Sequence, residues 1–245
     1  MPTSVTLYPM TSIKDDRGYN QGFRLGKSTI VRMQRRADWI LSEMDDLDLK
    51  SILEIGCGTG EVAYWLAKKG NAQVFGTDLC VPFIEEARKQ YRLPNLHYSV
   101  LDFNTGDRIE GAPFDYIVGN GILHHLYYRL DEVFARMSHL LKSGGKIIFM
   151  EPNYYNPYIH LIFSYPLLRR YVHLEPDEMA FPKNFVVDRL KRAGFTDVQV
   201  DYRDFLLPGI PDFLIRPSIA IGNVLEKTPL LRNVSQSIFI RAVKK

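Results

Sequence analysis

Chemistry in this chain gathers at one glycine-rich bend and at a few acidic or imidazole side chains that follow apolar runs. The bend is Leu53-Glu54-Ile55-Gly56-Cys57-Gly58-Thr59-Gly60, placed where a strand pattern gives way to a helix pattern. Glycines there permit positive φ and let backbone approach a ligand, and the free amides that open a helix favour polar or anionic groups. A dinucleotide loop, G-x-G-x-x-G, would need its third glycine at position 61, which is Glu61; here the third glycine is Gly60. An acid at that point would oppose a pyrophosphate, and the Lys-Ser/Thr pair of a G-x-x-x-x-G-K-[ST] phosphate loop is missing. Asp78, Asp102, Asn120 and Glu151 then close or directly follow later apolar runs. In Gly119-Asn120-Gly121-Ile122-Leu123-His124-His125-Leu126 two imidazoles stand side by side. Imidazole exchanges a proton near neutral pH, so His124 and His125 are the candidate general bases, and Glu151 can orient one of them or touch an acceptor itself. Each acid alone has a plainer use. Glu54 and Asp78 suit a cap or turn, and Asp102, ahead of Asn104 and Gly106, suits a turn. No metal site is expected, because neighbouring histidines seldom converge on one ion.

These residues need a scaffold that brings chain segments together, and the periodicity supplies one. Strand-like runs cover 51–55, 73–78, 96–101, 114–120, 145–151, 196–202 and 237–243. Helical patterns cover 29–44, 61–69, 82–91, 130–141 and 185–193, the last stopped by Gly194. Pro82 fits a first helical turn, where no amide hydrogen is required. Such alternation predicts parallel strands joined by right-handed crossovers, with helices on both faces. The acids would then share the crevice at the carboxyl ends of the strands.

Composition sets the outer limits. The 245 residues suit one large domain, and 46% apolar with 24% charged residues is ordinary for a globular chain. A formal charge of +3 gives no field that favours a polyanionic partner. The short basic clusters Arg32, Arg35, Arg36 and Arg169, Arg170 read as solvated helix faces. Cys57 and Cys80 have neither C-x-x-C nor zinc-ligand spacing, so a disulfide framework is not expected. No secretory pattern and no transmembrane segment are read, and a cytoplasmic location is the expectation.

The G-x-G-x-G bend preceded by Glu54, with the ordered acids that follow, resembles the class I S-adenosylmethionine-dependent methyltransferases over about residues 52–243. The resemblance implies a Rossmann-like, doubly wound α/β fold: a seven-stranded, mostly parallel sheet with the last strand antiparallel, plus lid insertions. It implies S-adenosyl-L-methionine as cofactor and S-adenosyl-L-homocysteine as product. By the same resemblance Glu54 holds the methionine ammonium, and Gly56, Cys57, Gly58 and Gly60 form the loop beside the amino-acid and sugar portions. Asp78 takes the ribose hydroxyls, Leu79 packs on adenine, Asp102 takes the adenine amino group and Phe103 flanks the ring. Asn120 lies beside the methionine portion, and Tyr19 resembles N-terminal tyrosines that close over the cofactor. Adjacent histidines are similar to those of small-molecule O-methyltransferases.

The acceptor side is expected in two excursions. The chain divides into an N-terminal lid and helix (1–48), a cofactor-binding core (49–151), a substrate-cover insertion (152–184) and a C-terminal part of the same domain (185–245). That last part holds a long apolar loop at about 204–234. Tyr154, Tyr155, Tyr158, His160 and His173 in the first excursion, Phe205, Ile210 and Phe213 in the second, and Tyr19 with Phe23 can wall a small-molecule pocket. Buried core and a homodimer interface compete for the same apolar residues. The favoured function is methyl transfer to oxygen, nitrogen or carbon of a small, partly apolar metabolite by in-line displacement. The alternatives are a protein or RNA methyltransferase and a catalytically silent S-adenosylmethionine-binding subunit. Nucleic acid is disfavoured: Asn120-Gly121-Ile122-Leu123 is not an Asn-Pro-Pro-aromatic run, and no Pro-Cys dipeptide occurs.

Overall fold

A computed structural model describes residue 13 and residues 15–17, 26–105, 108–172 and 174–245. Tyr19, Phe23 and His173 lie outside the described residues.

Seven strands form one sheet: β1 (Ser51–Ile55), β2 (Gln73–Asp78), β3 (Leu96–Val100), β4 (Phe114–Asn120), β5 (Leu141–Pro152), β6 (Phe195–Arg203) and β7 (Ser237–Lys244). Their spatial order is β3-β2-β1-β4-β5-β7-β6. β1 pairs in parallel with both β2 and β4, while β7 runs antiparallel between β5 and β6. Strand alternation explains the two-sided core. Leu53, Ile117, Ile147 and Phe149 face one apolar layer with Phe134, Met137, Val186 and Leu190 of helices α4 (Leu130–Leu140) and α7 (Lys183–Arg192). Ile52, Val118, Ile148 and Met150 face the other, packed by α1 (Lys27–Ser42), α2 (Glu61–Lys69) and α3 (Val81–Gln90). Fully buried rings such as Phe114, Phe134 and Phe149 each stabilise the sandwich by about 1.5–3 kcal/mol.

The first excursion contains α5 (Pro157–Ser164) and α6 (Pro166–Tyr171). Asn156 starts α5 by accepting the amides of Tyr158 and Ile159, both at 3.1 Å, with Pro157 in the first turn. The second excursion departs from expectation. The stretch 204–234, expected as a loop, holds a 14-residue helix, α8 (Asp212–Leu225), and a short 3₁₀ turn, Leu231–Val234. Pro217 and Gly222 inside α8 suppress the sequence signal for a helix. Among the described residues no helix is long and apolar enough to cross a membrane.

β5 and β6 both run antiparallel to β7, so they are parallel to each other. Both excursions therefore leave the sheet at its carboxyl edge.

Candidate functional site

That edge carries a cavity of about 370 Å³ between the glycine bend, the ends of β1, β2 and β4, and the residues after β3. Its walls include Glu54, Asp78 and Asp102, so three acids separated in sequence meet at one crevice. The bend is shaped by its glycines. Gly56, Gly58 and Gly60 have φ of 65°, 54° and 89°, values that side chains resist. A Cβ on Gly60 would sit 2.5 Å from the Tyr98 Oη, whereas at Gly58 nothing lies within 4 Å. Gly60 is thus required by packing behind the bend, and Gly58 opens onto the cavity.

Glu54 is the most unusual group on the wall. It is 1% exposed, and its Oε2 is buried with no hydrogen-bond partner among the described residues. Burial pushes its carboxyl well above the usual range, the nearby Glu61 and Asp78 push it further, and the Ala63 amide only partly offsets this. A buried acid in this state is either held neutral or ionised against a cation brought to it. Glu61 is spent locally, both oxygens accepting the Thr59 hydroxyl at 2.7 and 2.8 Å.

Asp78 ties the ends of β1 and β2 together. Its Oδ2 accepts the Gly58 amide and its Oδ1 the Cys80 amide, each at 2.9 Å. Burial pushes its pKa up; the two amides and the charge of Arg17 counteract this. One lone pair on each oxygen remains for hydroxyl donors at the cavity. Asp102 accepts the Asn104 amide at 2.8 Å, so it makes the turn that the sequence allowed while also lining the cavity beside Phe103. Arg136 stacks on the Phe103 ring at 4.7 Å. Cys57 and Leu79 complete this wall.

The basic cluster on α1 is not a solvated face. Arg36 is buried, donates to Asp204 through Nε at 3.1 Å and Nη2 at 2.9 Å, and reaches the Ser237 hydroxyl at 2.7 Å. Burial and the neighbouring Arg32 lower its pKa to about 10 against the pull of Asp204. Arg36 also donates to the Asn120 Oδ1 at 2.6 Å, which fixes that amide at the cavity wall. Arg169 is likewise structural. It donates to the carbonyls of Phe163, Glu175, Pro176 and Glu178 and so shapes the loop that follows α6.

The two histidines have different surroundings. His124 is buried, with Nδ1 2.7 Å from Glu151 and Nε2 3.2 Å from Glu178. Burial opposes its charge, but the two carboxylates prevail and push its pKa up to about 9. Both ring nitrogens thus face carboxylates, which favour the charged form, and His124 is not among the residues lining the cavity. Glu151 is not among the residues lining the cavity: its Oε1 takes the amides of Ile122 and Leu123 at 2.9 and 2.8 Å, capping the 3₁₀ turn Leu123–Arg129. His125, by contrast, lines the cavity and places Nδ1 3.6 Å from Glu175 and 3.9 Å from Glu178. His124, His125 and Glu178 each offer an atom within 4.8 Å of the others, a spacing able to hold a cation, but both nitrogens of His124 are already engaged.

Sequence reasoning missed Arg17, Met33 and Glu175, all on the cavity wall. Arg17 bridges Asp15 at 2.8 Å and Glu175 at 2.9 Å, joining the N-terminal segment to the loop after α6. The string Glu175-Pro176-Asp177-Glu178 is a readable acidic signal, yet nothing in it tells which acid meets which histidine.

The fold is that of the class I S-adenosylmethionine-dependent methyltransferases. The chain is an enzyme of that class, and residues 53–147 match the family described as a methyltransferase domain. It is 26% identical over 200 residues to the ubiquinone/menaquinone biosynthesis C-methyltransferase UbiE of Desulfotalea psychrophila, covering 73% of this chain and 78% of that one. It is 28% identical over 176 residues to the S-adenosyl-L-methionine-dependent Diels-Alderase iccD of Talaromyces variabilis, covering 67% of this chain and 59% of that one. Among solved structures, a SAM-dependent methyltransferase from Archaeoglobus fulgidus shares the fold with a TM-score of 0.62 at 18% identity, covering 88% of this chain and 94% of that one. Names among the curated relatives span small-molecule, tRNA and ribosomal RNA methyltransferases.

Proposed function

We propose that the enzyme methylates oxygen, nitrogen or carbon of a small, partly apolar molecule, with His125 taking the acceptor's proton. The observation that carries this reading is His125 itself, the one imidazole among the described residues on the cavity wall, with the Glu175 carboxylate beside its Nδ1. An Nδ1–H aimed at Glu175 leaves Nε2 as the acceptor of a proton. His124 is a positioning residue: its two ion pairs hold Glu151 and Glu178, and with them the backbone that presents His125.

The residues of the cofactor side fit S-adenosylmethionine. Glu54 Oε2, buried and unpartnered, meets the methionine ammonium; the open face of Gly58 admits the amino-acid and sugar portions beside Gly56 and Cys57. Asp78 accepts the ribose hydroxyls with its remaining lone pairs. Asp102 takes the adenine amino group, between Leu79 and Phe103. Asn120, held by Arg36, lies by the methionine portion. Bound there, the sulfonium supplies an already activated methyl group. The chain then needs to align the acceptor for in-line displacement, exclude water and accept one proton. Residues 152–184 and the 204–234 segment serve as the acceptor cover around residues 49–151, with Arg17 of the N-terminal segment tied to it through Glu175.

Methyl-labelled S-adenosylmethionine offered with separated metabolite, lipid, RNA and protein pools tests this. Label in a metabolite or lipid is expected. Label confined to RNA or protein overturns the acceptor class, and tight cofactor binding without transfer to any pool makes the chain a silent binding subunit.

A further inference from the structure

Helix α8 turns its apolar side outward. Of its fourteen residues only Ile215 and Gly222 are buried. At 100° per residue, Phe213, Pro217, Ala220, Ile221 and Val224 share one arc. That arc faces solvent: Phe213 is 76% exposed, Ile221 60% and Val224 65%. The opposite side packs on the body, where Gly222 admits Phe205, whose Cβ would stand 3.1 Å from an added side chain, and Glu226 accepts the Asp204 amide at 3.0 Å.

Charge is distributed one-sidedly beside the apolar arc. Arg216 and Lys227 lie along one edge of it, both exposed and neither in an ion pair among the described residues. Asn223 between them accepts from Arg35 at 3.3 Å, and the acid that opens the helix, Asp212, is neutralised by Lys27 at 3.2 Å. Beyond the helix the pattern repeats in brief: Leu230 is 80% exposed and Arg232 follows it. An apolar arc with a cationic edge suits the boundary between acyl chains and anionic headgroups, where the rings and branched chains sink in and the cations meet phosphates. A second copy of the chain would offer those cations no acid on this arc, whereas an anionic lipid surface neutralises them.

The geometry points to α8 as a docking helix that seats the enzyme on an anionic membrane surface. Because the excursion carrying α8 leaves the sheet at the same edge as the cavity, docking brings the cavity edge toward the lipid. An acceptor with an apolar anchor in that membrane would then be the class served, a consequence that rests on the function proposed above; the docking itself does not.

Co-sedimentation of the full chain with phosphatidylcholine vesicles, with and without phosphatidylglycerol, tests the docking without any methyl acceptor. The chain should partition onto the phosphatidylglycerol vesicles and leave them as salt rises. Phe213→Ser combined with Ile221→Ser and Val224→Ser should weaken partitioning about tenfold or more with the melting temperature unchanged, since exposed side chains hold no core. Arg216→Glu with Lys227→Glu should abolish the preference for anionic lipid. Failure of the unmodified chain to bind vesicles overturns the proposal, as does equal binding by the variants. A dimer that the triple variant converts to monomer, with no vesicle binding, overturns it too and makes the arc a self-association surface.

Discussion

The two walls of the cavity are built in different ways. The wall proposed for the cofactor comes from residues that each sit at the end of a strand or in the turn after it: Glu54 in β1, Asp78 closing β2, Asp102 after β3 and Asn120 closing β4. Parallel pairing alone brings such positions together, because every strand delivers its carboxyl end to the same edge. The wall proposed for the acceptor is assembled from Arg17, His125 and Glu175, which share no strand and meet through the Arg17–Glu175 ion pair, the His125–Glu175 contact and loop packing. A wall set by sheet register should tolerate change around it, and a wall set by side-chain pairs should fail when one partner goes.

The largest effect that would sharpen this contrast is on turnover. His125→Ala should lower kcat about a hundredfold with the acceptor found in the labelling screen, while calorimetric affinity for S-adenosylmethionine stays unchanged. A matching fall in cofactor affinity would break the separation of the two walls. Next come the cofactor acids. Glu54→Gln should weaken S-adenosylmethionine binding roughly 10- to 100-fold by removing a charge-assisted contact. Asp78→Ala should cost about 1–3 kcal/mol of binding from unpaired ribose hydroxyls, and unchanged affinity would show the ribose assignment to be misplaced. Glu175→Gln should reduce turnover roughly tenfold, leaving cofactor affinity intact, because it orients the base and does not touch the cofactor.

A separate effect, on stability and not on binding or turnover, concerns pH. The folded pKa of His124, about 9, lies above its ordinary 6.5. Its stabilising contribution is therefore complete below pH 6.5 and is lost as pH climbs through about 9. The melting temperature should fall across that window, with a stability loss on the order of 3 kcal/mol at most, and His124→Gln should flatten the fall. A flat profile in the unmodified enzyme would show that His124 is neutral and return it to the list of candidate bases.

Much of the cavity lining at the strand ends was legible because its signals are local. Glycines at 56, 58 and 60 mark a bend at positive φ, and an acid closing an apolar run marks a strand end. The acceptor wall was not, because its partners are distant in sequence. His124 and His125 are alike on paper, yet the carboxylates of Glu151 and Glu178 favour the charged form of one, against its burial, while the other faces the cavity. Arg36 and Arg169 read as solvated charges, and each is instead spent holding buried or backbone oxygens. Helix α8 was hidden by Pro217 and Gly222, whose low helix propensity masks a segment that packs on Phe205.

By itself the amino-acid order determined the alternation of strands and helices, the bend, and the acids that face one edge, since period and local conformation depend on near neighbours. Tertiary structure decided which histidine lines the cavity, which arginines are buried, and which side of α8 meets solvent. Those outcomes depend on desolvation and on charges brought close from far along the chain, and no local pattern encodes them.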